Sequence, residues 1–203
     1  MITQIIERST DKGVVILSSP RTGSTVLGSL VSIGLNCDFF SELIEPGIVK
    51  NIRMQQFLFY KHMNKQYVLK EHTLLFADNY KNVFDENSTV FIRLRRKDIF
   101  KQTLSTYISN FRNIWSYERD NTNDTEIMLD KKKLLDTKTY VDKFNQATDN
   151  YRGKLDFDLY FEDLDLTKAP GSLDNGNKHD TIPSVKPKNY SELTEWAKDI
   201  LRT

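Results

Sequence analysis

The feature that most constrains the fold is a short apolar run that leads directly into a turn of small residues. Residues Gly13–Ser18 are mainly β-branched and aliphatic and are flanked by turn formers, a pattern typical of a buried strand. The next seven residues read Ser-Pro-Arg-Thr-Gly-Ser-Thr, and apolar residues at helical spacing follow them as far as Gly34. The sequence therefore predicts a strand, a tight loop and a helix in succession.

The loop at residues 19–25 has the composition of an anion-binding site. The first N–H groups of a helix have no acceptors within the helix, and the helix dipole adds partial positive charge there. A glycine with neighbouring hydroxyls lets an anion approach these groups closely, and Arg21 adds a positive charge. We therefore predict a phosphate or sulfate site formed by Pro20, Arg21, Thr22, Gly23, Ser24 and Thr25.

Two common phosphate-binding loops are excluded by the residues present. In the ATP-binding pattern GxxxxGK[ST], the register that puts Gly23 at the second glycine puts Ser18 at the first and Ser24 at the lysine. A phosphatase loop needs a cysteine six positions before an arginine, and Cys37, the only cysteine, has no such partner. A plain tight turn between a strand and a helix remains the alternative interpretation.

Strand patterns and helix patterns alternate along the rest of the chain. We expect strands at residues 66–70, 89–94 and 157–161 and helices at about 74–80, 98–111, 139–151 and 190–201. Such alternation is typical of a parallel sheet with helices on both faces. The sequence therefore predicts an α/β fold with a P-loop-type parallel β-sheet, a single domain over residues 1–203, and long loops at about 117–135 and 165–188.

Composition limits the classes of function. The 29 Lys and Arg residues nearly balance 28 Asp and Glu, and a net charge of +1 is not that of a strongly basic nucleic-acid binder. The longest apolar stretch is about ten residues, too short to cross a bilayer, and no secretory signal is visible. A single cysteine excludes an intrachain disulfide and a multi-cysteine zinc site. We expect a cytoplasmic protein without nucleic acid, membrane span or metal.

A second basic segment follows the strand predicted at residues 89–94. Arg95 and Arg96 would lie at its carboxyl end, where open α/β sheets bind ligands, and Ser105 would lie about two turns along the next helix. Arginine forms bidentate contacts with phosphate, and a serine hydroxyl can complete the site. Successive strand residues point to opposite faces, so the sequence leaves open which arginine is the main ligand. A solvated basic cluster is the alternative.

These two segments together resemble sulfotransferases. The loop resembles the 5′-phosphosulfate loop of the bacterial and Golgi-type branches, and the RRxDxxxQxxS motif of trehalose sulfotransferases is matched by Arg95, Arg96, Asp98, Gln102 and Ser105. The resemblance implies the donor 3′-phosphoadenosine 5′-phosphosulfate (PAPS), the product adenosine 3′,5′-bisphosphate (PAP), and a small-molecule, glycan or peptide hydroxyl as acceptor. The Gly-rich RKGxxGxWK segment of cytosolic members is absent.

Sulfuryl transfer needs a base for the acceptor hydroxyl and cations for the charge on the moving group. Glu42 resembles the glutamate that serves as general base in trehalose and tyrosylprotein sulfotransferases. Lys70 and His72 resemble the KTH segment of cytosolic members, in which the histidine is the base and the lysine touches the donor, although Glu71 replaces the threonine. We prefer Glu42 as base, and the resemblance implies that Arg21 stabilises charge at the 5′ side.

The sequence thus leads to one main hypothesis and two alternatives. The main hypothesis is an enzyme that transfers a sulfuryl group from PAPS to a hydroxyl. The first alternative is a divergent P-loop kinase of small molecules, which Ser24 at the lysine position disfavours. The second is a non-catalytic module that binds PAP or another nucleotide.

Overall fold

The described part of the chain contains one five-stranded parallel sheet. The computed structural model describes residues 1–43, 55, 57–58, 61–79, 84–112, 126–165 and 187–202. Within these residues the strands are β1 (Gly13–Ser18), β2 (Asp38–Ser41), β3 (Tyr67–His72), β4 (Thr89–Arg95) and β5 (Phe157–Tyr160). Their order is β2-β3-β1-β4-β5, and every neighbouring pair is parallel. β1 is central, which explains why all six of its residues are buried.

Helices alternate with these strands along the chain. The helices are α1 (Ile2–Arg8), α2 (Ser24–Leu35), α3 (Thr73–Asn79), α4 (Ile99–Arg112), α5 (Lys131–Asp149) and α6 (Tyr190–Leu201), with a 3-10 turn at Phe161–Asp163. Parallel strands need such crossover connections, because the chain must return to the same end of the sheet before each new strand.

Alternating residues of β1 lie in separate cores on the two faces of the sheet. Ile16 packs in the same cluster as Leu27 of α2 and Ile5 of α1, whereas Leu17 packs in the cluster that contains Phe76 of α3. Because successive strand residues point to opposite faces, a strand covered by helices on both sides is apolar throughout. The predicted α/β class, a parallel sheet flanked by helices, is confirmed.

The chain divides into two compact units. A sheet unit comprises Met1–Lys97 and Phe144–Lys178, and a helical unit comprises Asp98–Lys143 and His179–Thr203. The helical unit has its own core, in which Leu104 and Tyr107 of α4 pack with Leu134 and Leu193. That residues 1–203 form one domain stays a prediction.

The observed elements differ from the sequence prediction in four main places. α1 and β2 were not predicted, and β3 extends to His72, so that His72 ends the strand rather than following it. Residues 131–135, inside the segment predicted as a long loop, begin α5. Leu134 there is fully buried in an apolar cluster while the lysines at 131–133 are exposed, an arrangement typical of a helix with one buried face. Residues 117–125 and 166–186 of the predicted loops lie outside the described residues.

Candidate functional site

The carboxyl ends of the parallel strands bring the predicted loop next to the predicted base candidates. Ser18, the last residue of β1, is in register with His72 of β3 and with Leu94 of β4. Neighbouring strands lie about 4.8 Å apart. The loop that follows β1 therefore begins beside the ends of β3 and β4, the position at which open α/β sheets bind ligands.

The loop is tightly turned and anchored at its first residue. The Thr22 hydroxyl donates a hydrogen bond to the Ser19 carbonyl at 3.0 Å, and the Ser19 hydroxyl donates to Asn145. Arg21 and Gly23 both have positive φ angles, 58° and 82°. Gly23 is the N-cap residue of α2, so the loop ends where the helix presents amides without intrahelical acceptors. This backbone is suited to an anion.

Glycine is required at position 23 for two reasons. A Cβ atom there would lie 2.2 Å from the ring of Phe161, and the φ angle of +82° strains any L side chain. We expect Gly23→Ala to destabilise the protein by about 1–3 kcal/mol, measured by urea unfolding. The Gly23→Ala/Phe161→Ala double variant separates the causes, because it removes the clash and keeps the strain. A Gly23→Ala protein as stable as the parent would contradict this account.

Arg96 lies against this loop. Its Nη1 donates a hydrogen bond to the Arg21 carbonyl at 2.9 Å, and its Nε lies 3.4 Å from Oε1 of Glu162. The guanidinium also lies 6.0 Å from the centroid of the Phe161 ring. Arg96 thus connects the end of β4 to the loop after β1 and holds a fixed positive charge there.

Arg95 has other partners. It donates to the carboxylate of Asp158 at 3.0 Å and to that of Asp149 at 3.4 Å, and it lies over the ring of Tyr160. Asp158 is also paired with Arg93, whose hydrogen bond is the main reason that the pKa of Asp158 lies below its usual range. The alternation expected from the sequence is therefore observed: Arg93 and Arg95 share acidic partners, and Arg96 contacts the loop.

Ser105 was predicted to complete the second anion site. It lies in α4, within the helical unit, and its backbone carbonyl accepts a hydrogen bond from the Ser109 hydroxyl at 2.9 Å. Its proposed role toward a phosphate stays a prediction.

The two base candidates and Lys70 form one cluster. Nζ of Lys70 contacts the Glu42 carboxylate, and Nε2 of His72 lies 3.4 Å from Oε1 of the same group. Lys70 and His72 lie two residues apart on β3 and so point to the same face. Glu42 follows β2, whose last residue is in register with Lys70. Separate sequence motifs thus meet at one edge of the sheet.

The contacts within this cluster offset the cost of burying its charged groups. Lys70 is only 3% exposed, and a buried ammonium needs a hydrogen-bonded counter-charge. Burial by itself would raise the pKa of Glu42, but the hydrogen bond from His72 and the charge of Lys70 outweigh it and hold this pKa far below the usual range. Glu42 also has a φ of +53°, a conformation that costs a non-glycine residue about 1–3 kcal/mol. Glu42 is therefore held as a carboxylate in a constrained position.

The surroundings of His72 favour one tautomer. Among the described residues its Nδ1 is buried and has no hydrogen-bond partner, and its ring lies edge-on to Phe144. An unpartnered buried lone pair is less costly than an unpartnered buried N–H, so the ring proton is assigned to Nε2, which faces Glu42. In this arrangement Nε2 is a donor, and Glu42 is the group with free acceptor capacity.

Sequence reasoning missed the part that Glu71 plays. This side chain is fully buried, and its carboxylate accepts hydrogen bonds from the backbone N–H of Leu43 at 2.8 Å and of His72 at 3.1 Å. Burial raises its pKa to about 7, against the opposing effect of these two hydrogen bonds. The available signal was a charged triplet at residues 70–72 ending a strand that is otherwise apolar.

No protein-family model, curated protein or solved structure matches this chain. In the described ranges, no cluster of three or more His, Cys, Asp or Glu side chains has the arrangement needed to hold a metal ion. The helices seen in those ranges include none with the length and apolar character needed to cross a membrane.

The chemistry available at the site follows from its charged groups. The cluster of Glu42, Lys70 and His72 can hold an anion through Lys70 and the loop and can accept a proton at Glu42.

Proposed function

We propose that this chain is a sulfotransferase that moves a sulfuryl group from PAPS to an acceptor hydroxyl and releases PAP. The observation that carries the proposal is the contact of Glu42 with Lys70 and His72 beside the loop at residues 19–25. An anion-binding loop, a buried cation and a carboxylate at neighbouring strand ends are the groups that sulfuryl transfer requires.

The loop would hold the 5′ side of the donor. The amides at the start of α2 would donate hydrogen bonds to phosphate or sulfate oxygens, and the Ser24 and Thr25 hydroxyls would add to them. Arg96 donates to the Arg21 carbonyl and so supports the loop from behind. A positive charge that is held in place before the reaction stabilises the charge that develops on the leaving phosphate.

Glu42 would act as the base. The acceptor oxygen forms a bond to sulfur while the bond between sulfur and the bridging oxygen breaks, and the electron pair of that bond stays on the 5′-phosphate. The proton of the acceptor hydroxyl passes to a Glu42 oxygen. His72 would donate from Nε2 to the same carboxylate and keep it oriented.

Lys70 would couple donor binding to the strength of this base. While Lys70 contacts Glu42, the carboxylate is a weak base, because the ammonium stabilises its ionised form. An ammonium drawn toward the bridging oxygen of the donor would leave Glu42 more basic at the moment when a proton must be accepted. Both residues thus contribute to the same step.

The test is a binding panel followed by a transfer assay. At 100 times its Kd a ligand stabilises a protein by about 2.7 kcal/mol, so we expect PAP and PAPS to raise the Tm by about 5–10 °C. ATP with Mg²⁺ and free sulfate should raise it much less. Radiolabelled PAPS should then label an acceptor in a library of sugars, lipids, peptides and phenols.

The matched control is Lys97→Ala, which removes an exposed lysine that pairs with Asp163. This variant should bind PAP as the parent does. Stabilisation by ATP with Mg²⁺ alone would favour the kinase, and PAP binding without transfer to any acceptor would favour the non-catalytic module. Either result would overturn the proposal.

A further inference from the structure

The backbone around Glu42 is held by β3 on both sides of that residue. The Glu42 N–H donates to the Lys70 carbonyl at 2.9 Å and extends the β2–β3 ladder by one bond. The left-handed conformation at Glu42 then turns the chain, and the next N–H, that of Leu43, donates to the Glu71 carboxylate at 2.8 Å. The amide of Glu42 and the amide of the residue after it are therefore both held by β3.

We propose that Glu71 is a positioning residue that holds Glu42 in the geometry needed for proton transfer by joining the backbone of Leu43 to that of His72. This inference rests on the proposed function of the Glu42 cluster. Glu71 itself faces the other side of β3, toward the apolar cluster that contains Leu69, so it acts through the backbone and does not touch the reacting groups.

A carboxylate is the side chain that suits this position. Oε2 accepts from Leu43 and Oε1 accepts from His72, so both oxygens are used as acceptors. Glutamine has the same size but only one acceptor oxygen, and its NH₂ group would face an N–H donor. Burying a carboxylate on an apolar face is costly, and the two amide hydrogen bonds offset part of that cost.

The charges around Glu71 set the conditions for the experiment. Burial raises its pKa to about 7; the neighbouring Lys70 opposes this rise and Glu42 adds to it. The ionised form, which accepts both hydrogen bonds, predominates above this pH. Assays at pH 8.5 therefore measure the protein with both hydrogen bonds from the Leu43 and His72 amides to Glu71. Measurements near pH 6 show the effect of protonating this carboxylate and weakening those bonds.

The first experiment is a double-mutant cycle at pH 8.5 with Glu71→Gln and Glu42→Gln. We expect Glu71→Gln to reduce kcat at least about tenfold with little change in PAP affinity, since the donor site is not altered. In the Glu42→Gln background, Glu71→Gln should have no further effect on kcat, because the carboxylate that Glu71 positions has already been removed. Equal reductions in both backgrounds, or an unchanged kcat in the single variant, would overturn the proposal.

The second experiment does not depend on activity. The protection of the Leu43 amide against hydrogen exchange should fall at least about tenfold in Glu71→Gln while that of Leu69 is retained. In the parent protein the same protection factor should fall as the pH is lowered through about 7, which needs no variant to fold. An unchanged Leu43 amide in both measurements would overturn the positioning role.

The control variant is Glu162→Gln, because Glu162 also accepts a backbone N–H, that of Lys97, at 3.0 Å. It should leave the Leu43 amide unchanged. Two outcomes separate this inference from the proposed function. If Leu43 loses protection as expected but the parent protein transfers no sulfuryl group, the proposed function is wrong and only the backbone contact of Glu71 stands. If the parent protein transfers sulfuryl groups but the Leu43 amide is unaffected, the function stands and the positioning role of Glu71 is wrong.

Discussion

Replacing Glu42 by glutamine is expected to lower the rate of sulfuryl transfer by about 10²–10⁴-fold, the range that a general base contributes. The glutamine oxygen can still accept from Lys70, so the buried ammonium keeps a hydrogen bond and PAP affinity should change little. Single-turnover transfer with saturating PAPS measures the step directly, and titration with PAP measures binding.

The same variant should change the dependence of stability on pH. The pKa of Glu42 is lower in the folded protein than in the unfolded chain, so its pairing stabilises the fold above the ordinary pKa of about 4.5, and this contribution is lost as the pH falls. Glu42→Gln lacks this contribution at neutral pH and should therefore lose less stability on acidification. The control is Asp163→Asn, an exposed carboxylate paired with Lys97.

A Glu42→Gln enzyme with the full transfer rate would reject Glu42 as base. His72→Ala would then be the decisive variant, because His72 is the other base candidate in the cluster. The assignment of the ring proton to Nε2 predicts that His72→Ala weakens the orientation of Glu42 and costs less than loss of the carboxylate. A larger loss in His72→Ala than in Glu42→Gln would reverse the two roles.

The second large effect is expected at Arg96, one of the two consecutive arginines that follow the predicted strand. Arg96→Gln should weaken PAP binding by about 10–100-fold, since a hydrogen bond to a charged group contributes about 1.5–3 kcal/mol and Arg96 also supports the loop through the Arg21 carbonyl. Arg95→Gln is the matched control, because the guanidinium of Arg95 pairs with Asp158 and Asp149 whereas that of Arg96 donates to the loop. Calorimetric titration with PAP, at two salt concentrations, measures the affinity of each variant.

Equal loss of PAP affinity in the two variants would mean that both guanidinium groups reach the ligand. A larger loss in Arg95→Gln would assign the phosphate to the face of the sheet on which Arg95 meets Asp158 of β5, and would contradict the role of Arg96. Arg96→Lys is the informative third variant: lysine keeps the charge but not the planar fork, so it should recover only part of the affinity.

The segment from β1 to α2 was predictable because its signals are local. A strand buried on both faces is apolar throughout, and a helix that starts after a glycine turn has a 3.6-residue apolar period, so residues 13–35 define both elements and the loop between them. The four-residue edge strand β2 was not predictable in this way. Its register with β3 depends on partners that are about 30 residues away in the chain.

The same distinction between local and long-range information applies to the site residues. The residue types at positions 42, 70, 72, 95 and 96 can bind anions or take part in proton transfer, and the sequence predicts a site from them. Their grouping is a tertiary property: strand order brings Glu42 onto Lys70, and the pleat sends Arg95 to Asp158 and Arg96 to the loop. Glu71 is the clearest case, because its burial and its two amide partners are seen only in the folded chain.

The sequence by itself determined the class of fold and the chemistry available at the carboxyl ends of the strands, because periodicity and residue type are encoded locally. Only the tertiary structure decided which charges are paired, which arginine meets the loop and which carboxylate is buried. These outcomes depend on distances between segments far apart in the chain, and electrostatic and hydrogen-bond energies vary steeply with such distances.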